Sequence, residues 1–150
     1  MDSQLDRYLD ELHRIFKTAG CKHEAHDRSR PVLEDIAADR GFLTRVLRRY
    51  LSTPGALNQK NYPVVGVDIE LNAYFHLVAN CWIPLPNRET NISSKAIHHH
   101  GNMLLTTLNL FGPGYEHWLF TRPQELDRER ELYAMNVVER KRHALHNIAF

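Results

Sequence analysis

The hydrophobic period of this chain changes at Ser52-Thr53-Pro54-Gly55, and that change bounds the folds open to it. Before it, apolar residues recur three and four positions apart: Leu5, Tyr8, Leu9, Leu12, Ile15 and Phe16, then Val32, Leu33, Ile36 and Ala37, then Phe42, Leu43, Val46, Leu47, Tyr50 and Leu51. Such spacing lines up one face of a 3.6-residue helix. Three helices are expected over residues 3–52. The first stops at Gly20, the second starts at Ser29 and Pro31 and stops near Gly41, and the third ends at the Pro-Gly break. The stretch C-K-H-E-A-H-D-R-S between the first two reads as a polar connection.

After Gly55 short runs of β-branched and aromatic residues alternate with turn residues, which predicts strands. They are expected near Val64 to Leu71, Tyr74 to Ile83, Lys95 to His100, Met103 to Phe111, Tyr115 to Thr121, Leu132 to Glu139 and His143 to Phe150. Asn72 and Gly112-Pro113-Gly114 are read as hairpin turns, and P-L-P-N-R-E-T-N as a longer loop. Many short strands at this spacing suggest a sandwich or barrel with the helices packed on it. The division expected is a helical segment, 1–56, and a β-barrel, 57–150, forming one structural domain.

Composition closes off several function classes. The formal net charge of +1 is spread among mixed signs, so no electrostatic footprint for nucleic acid stands out. No apolar run reaches the roughly 18 residues that cross a bilayer, and M-D-S-Q-L-D-R-Y is too polar for a secretory signal. A cytoplasmic protein with no membrane partner is expected. Cys21 and Cys81 lie 60 positions apart, neither a disulfide framework nor a C-x-x-C zinc pattern. Histidine is the unusual residue: there are ten, and His98, His99 and His100 are consecutive.

On a strand, side chains alternate faces, so His98 and His100 share one face and His99 takes the other. Two residues' rise is about 6 to 7 Å, close enough for two imidazoles to converge on one ion at bonds near 2 Å. The plainer reading of H-x-H is a solvated, histidine-rich strand face. The motif stands in I-P-L-P-N-R-E-T-N-I-S-S-K-A-I-H-H-H-G-N, after a long loop and before Gly101.

That segment resembles the first metal motif of the cupin superfamily, in which an H-x-H strand supplies two ligands and a later strand a third. A-L-H-N-I-A-F then offers His146, 46 positions after His100. His143, three residues earlier, would face the other way on a regular strand, so at most one of the two reaches the ion. More narrowly, C-W-I-P at 81–84, S-S-K-A-I-H-H-H, L-N-L-F-G-P-G-Y-E-H-W-L-F and A-L-H-N-I together resemble the cysteine dioxygenase-like thiol dioxygenases. The resemblance implies a mainly β, cupin-type jelly-roll barrel preceded by about three α-helices. It also implies Fe(II), or another divalent transition metal, held by His98, His100 and His146. The activity implied is oxidation of a small molecule, a thiol being the family's substrate, with dioxygen.

The departures are equally specific. Leu104 and Leu105 stand where a general cupin carries a glutamate, which favours three histidines alone. Val64 or Val65 replaces the arginine that holds the substrate carboxylate in cysteine dioxygenases, which puts cysteine itself in doubt as substrate. The cross-linking cysteine of that family would fall near Leu105, and its tyrosine partner beyond Phe150. The chain ends just after the third proposed ligand, so the barrel is expected to be either short or incomplete at its C-terminus. An open edge would invite pairing with another copy, a homo-oligomer. The alternative to an oxygenase is a non-catalytic metal- or ligand-binding cupin module, or a truncated inactive relative.

Other residues carry weaker signals. Glu116 beside His117 could serve acid–base work, or could be the exposed start of a strand whose Trp118 and Phe120 pack inward. His76 could orient a ligand imidazole, or be a hydrogen-bonded core histidine. Cys81 could face the pocket, or be an inert buried thiol. C-x-H-x-x-H at Cys21, His23 and His26 lacks a fourth close ligand for zinc. R-E-R-E-L and E-R-K-R-H read as solvated charge.

Overall fold

The computed structural model describes residues 3–56, 64–82 and 104–149. Three helices precede a set of short antiparallel strands. The chain divides into two compact units, Met1–Leu105 and Thr106–Phe150. No helix among the described residues is long and apolar enough to cross a membrane.

In the first unit, α1 (Ser3–Thr18) buries Leu5, Tyr8, Leu9, Leu12 and Ile15, the stripe its sequence spacing predicts. Helix α2 (Lys22–Ala38) starts seven residues before the expected Ser29, so the polar stretch is helix and Pro31 sits inside it. Two features carry this start. Glu24, in the first turn, accepts a hydrogen bond at 2.9 Å from the N–H of Gly20, one residue before the N-cap Cys21, and so ties the entering chain to the helix start. One turn on, Ala25 and Ser29 are buried, and the Ser29 hydroxyl donates to the His26 carbonyl at 2.7 Å, within the turn that precedes Pro31. A proline ordinarily marks a first turn, and here burial of the upstream face overrides that preference.

Helix α3 (Phe42–Leu51) buries Phe42 and Val46, with Gly41 as N-cap. Asp39 ties these helices together. Its carboxylate accepts from the Gly41 N–H at 3.0 Å and from the Tyr8 hydroxyl at 3.2 Å, and pairs with Arg45. Tyr8 also packs edge-on to Phe42, ring centres 6.1 Å apart.

Strands β1 (Val64–Leu71) and β2 (His76–Trp82) form an antiparallel hairpin with a bulge between Asp68 and Glu70. Asn72 makes the turn, as expected: its side-chain oxygen accepts from the Tyr74 and Phe75 N–H groups at 2.9 and 3.0 Å. The turn lies on α1, with Tyr74 against His13 and Phe75 against Phe16 at ring separations of 5.3 and 5.1 Å. Val67 and Ile69 are buried.

The second unit comprises β3 (Thr107–Leu108), β4 (Tyr115–Phe120), β5 (Gln124–Asp127), β6 (Leu132–Ala134), β7 (Val137–His143) and β8 (Ile148–Ala149). They pair β3 with β8, β4 with β7 and β5 with β6. The register runs on from pair to pair: Leu108 stands opposite Ile148, Tyr115 opposite His143, Phe120 opposite Val137 and Gln124 opposite Ala134. The six strands are therefore one long antiparallel ribbon, interrupted along its length. Its tip is closed by Asp127, whose carboxylate accepts from the N–H groups of Glu129 and Arg130 at 3.0 and 3.1 Å.

Several strand expectations change as a result. Of Met103 to Phe111, only Thr107 and Leu108 pair; Leu132 to Glu139 breaks between β6 and β7; and β5 was not anticipated. His143 ends β7 rather than opening a last strand, and residues 144–147 turn before β8. Gly112-Pro113-Gly114 is not a hairpin turn, because the strands on either side of it pair elsewhere. It is a bulge, with six residues between Leu108 and Tyr115 facing four between His143 and Ile148. Gly114 is required there: its φ is +88°, and a Cβ would fall on the carbonyl oxygen of His143. The described residues contain two-stranded sheets and no closed barrel. The stretch Lys95 to His100, read as a strand, lies outside them.

Candidate functional site

The histidine run His98, His99 and His100 lies outside the described residues. The rest of the predicted site sorts by strand alternation. Counting from the ribbon tip, Tyr115, His117, Lys141 and His143 share one face of β4 and β7, while Glu116, Trp118, Arg140 and Arg142 share the other.

On the first face two imidazoles meet. His143 Nε2 and His117 Nδ1 are hydrogen-bonded to each other, with ring centres 4.3 Å apart and planes inclined by 31°. His143 is 1% exposed, the one buried residue of its unit among those described. Tyr115 stacks on its ring at 5.0 Å, and the Tyr115 hydroxyl is hydrogen-bonded to the Thr107 hydroxyl at 2.5 Å. The outer nitrogens, His117 Nε2 and His143 Nδ1, are buried without a hydrogen-bond partner among the described residues. Burial pushes the His143 pKa below the ordinary histidine value; His117 and Lys141 push the same way, and Glu139 opposes them. Each of these except Glu139 favours the neutral ring.

His146 is not on a strand. It is exposed, in the turn after β7, at φ +62°, and its backbone N–H donates to the Asn109 carbonyl at 2.7 Å. The face argument that separated it from His143 therefore gives way to a different separation: His143 is engaged with His117, while the His146 ring stands at the surface.

Glu116 and His117 do not form an acid–base couple. Adjacent strand residues point apart, and Glu116 instead pairs with Arg140 through contacts of 2.9 and 3.2 Å. Trp118 does not pack inward; it is 45% exposed, with the Arg140 guanidinium 4.8 Å over its ring, and Phe120 is exposed as well. His76 is not a core histidine, and no other imidazole among the described residues lies beside it. It is exposed on β2, with Nε2 2.7 Å from an Asp68 carboxylate oxygen. Cys81, opposite Val65, is exposed, as is Cys21. His26 packs edge-on to Phe16 at 5.4 Å, and burial, then His23, lowers its pKa while Asp27 raises it. Among the described residues no three His, Cys, Asp or Glu side chains gather around one point.

The His117–His143 contact is the feature that the sequence reading missed. The D-R-E-R-E turn at Asp127 marks the ribbon tip, but the register shifts at Glu125/Asp127 and at Leu119/Phe120 before Tyr115 stands opposite His143, with His117 one diagonal away, so no sequence signal gave the contact. Comparison of the chain with protein-family models, with curated proteins and with solved structures finds no match.

Proposed function

We propose that the chain is a cupin-type, mononuclear non-haem iron oxygenase resembling thiol dioxygenases, with His98, His100 and His146 as ligands. The observation that carries the reading is the S-S-K-A-I-H-H-H-G segment, with its two imidazoles at strand spacing. The order of three helices followed by antiparallel strands agrees with it. So does the donor chemistry of His146, whose exposed ring is clear of the His117–His143 bond.

The three side chains bind as neutral imidazoles, so loading falls as acid protonates them. Ferrous iron would supply the dioxygen chemistry that side chains lack. Val64 and Val65, opposite Trp82 and Cys81, bring no cation to the position where cysteine dioxygenases bind a carboxylate. The substrate expected is therefore a small thiol other than cysteine, oxidised by dioxygen.

Metal per chain after iron loading should be one equivalent in the wild type, and should fall by at least about tenfold in His98→Ala and His100→Ala. Stoichiometric metal that survives both substitutions overturns the site. Dioxygen uptake on adding small thiols separates an oxygenase from a binding module: a full iron site with no uptake favours the module.

A further inference from the structure

The facing nitrogens of His117 and His143 leave room for one proton. Whichever ring donates, the other accepts with its lone pair. Protonation of both rings would set two N–H groups head to head and place two positive charges on rings whose centres are 4.3 Å apart. We propose that this pair is a pH-sensitive latch on the β-ribbon, closed while one facing nitrogen keeps its lone pair and opened when acid makes both rings imidazolium.

Three observations make the pair a latch rather than a surface contact. His143 is the buried residue of the ribbon, so its cation has little water to solvate it. The outer ring nitrogens have no hydrogen-bond partner among the described residues, so no acceptor is in place to stabilise added charge. The pair also stands where β4 and β7 meet the Gly112–Gly114 bulge, at the interruption of the ladder between Tyr115–His143 and Leu108–Ile148. An opening there has only short pairings beyond it to resist.

The groups facing His143 decide the direction. From β4 come His117 and the stacked, uncharged Tyr115; from its own strand come Lys141, which disfavours the cation, and Glu139, which favours it. Arg142, on the other face, has its guanidinium donating to the Pro113 carbonyl at 3.3 Å. Glu139 alone opposes burial, Lys141 and His117, and both rings become imidazolium only when the pair separates. The closed ribbon therefore binds fewer protons than the open one. It is favoured above the ordinary histidine range and lost as pH falls through and below it. The latch needs no metal and does not rest on the iron reading.

The test uses the full chain with a chelator present, following histidine ring signals and amide protection by NMR from about pH 7.5 to about pH 5. Protection at Glu116 and Arg142 should fall about tenfold or more, while protection in α1 holds. His143 should take up its proton below the free-imidazole value of about 6.5. His143→Phe keeps a ring on Tyr115 without a titrating nitrogen, and protection should be nearly constant over this range; His117→Gln leaves a neutral partner that can accept from a protonated His143, and the fall in protection should be smaller than in the wild type. Undiminished acid opening in both variants overturns the latch. So does a wild-type His143 that titrates at or above the free-imidazole value. Should both variants lose the ribbon at neutral pH, the wild-type titration alone decides.

Discussion

Leu12 in α1 and Leu119 in β4 carry the same side chain, yet the first is 3% exposed and the second 48%. The contrast holds across the two units. Every buried apolar residue among those described, from Leu5 to Ile69, belongs to the first unit, whereas the second buries a histidine. Three helices and a hairpin can enclose a volume; a two-stranded ribbon has no second layer of its own, and such a ribbon is marginal by itself. Order in the ribbon therefore depends on its cross-strand pairs and turns, and order in the helices on burial.

The largest effect that separates the units is truncation of an apolar side chain. Leu12→Ala and Ile36→Ala, at buried positions, should each cost about 2 to 5 kcal/mol. Val138→Ala, at an exposed ribbon position, should stay within about 0.5 kcal/mol. Urea unfolding measures both, and a ribbon substitution as costly as the helical ones would break the comparison.

Backbone geometry should matter more to the ribbon than apolar area. Gly114→Ala places a side chain at φ +88° against the His143 carbonyl, a strain of about 1 to 3 kcal/mol. Amide protection at Tyr115 and His143 should drop accordingly while that of α1 is unmoved. Equal protection in the variant would mean that the bulge tolerates a Cβ.

The smallest effect is a shared one, because each unit holds one histidine neutral by burial. For His26 the folded pKa lies below the ordinary value, with burial the larger cause and His23 the next. Its folded form thus binds fewer protons, so its contribution to stability is present above the ordinary value and lost as pH falls through it. Replacing His26 by leucine should make the loss of helical-unit stability between about pH 7 and about pH 5 shallower, as read by urea midpoints. An unchanged acid slope would place that titration elsewhere.

Local signals were legible where the structure depends on local geometry. Helices α1 and α3 and strand β1 fall where their periods put them, and Asn72 makes its turn. The start of α2 was not, because Pro31 reads as a first-turn residue and only burial of Ala25 and Ser29 extends the helix upstream. Within the β half, strand character was largely read and pairing was not. Gly112-Pro113-Gly114 has the composition of a hairpin turn, and only the partners of its flanking strands show a bulge. His146 looked like a strand residue, and its positive φ removes it from one.

The order of helices and strands follows from the amino-acid sequence alone, since 3.6- and two-residue periods are properties of neighbouring residues. Tertiary structure alone decided that β3 to β8 form one ribbon and that His117 meets His143, 26 residues away. Both faces of these strands mix apolar and charged side chains, so no hydrophobic face specifies the register, which shifts at Glu125/Asp127 and again at Leu119/Phe120.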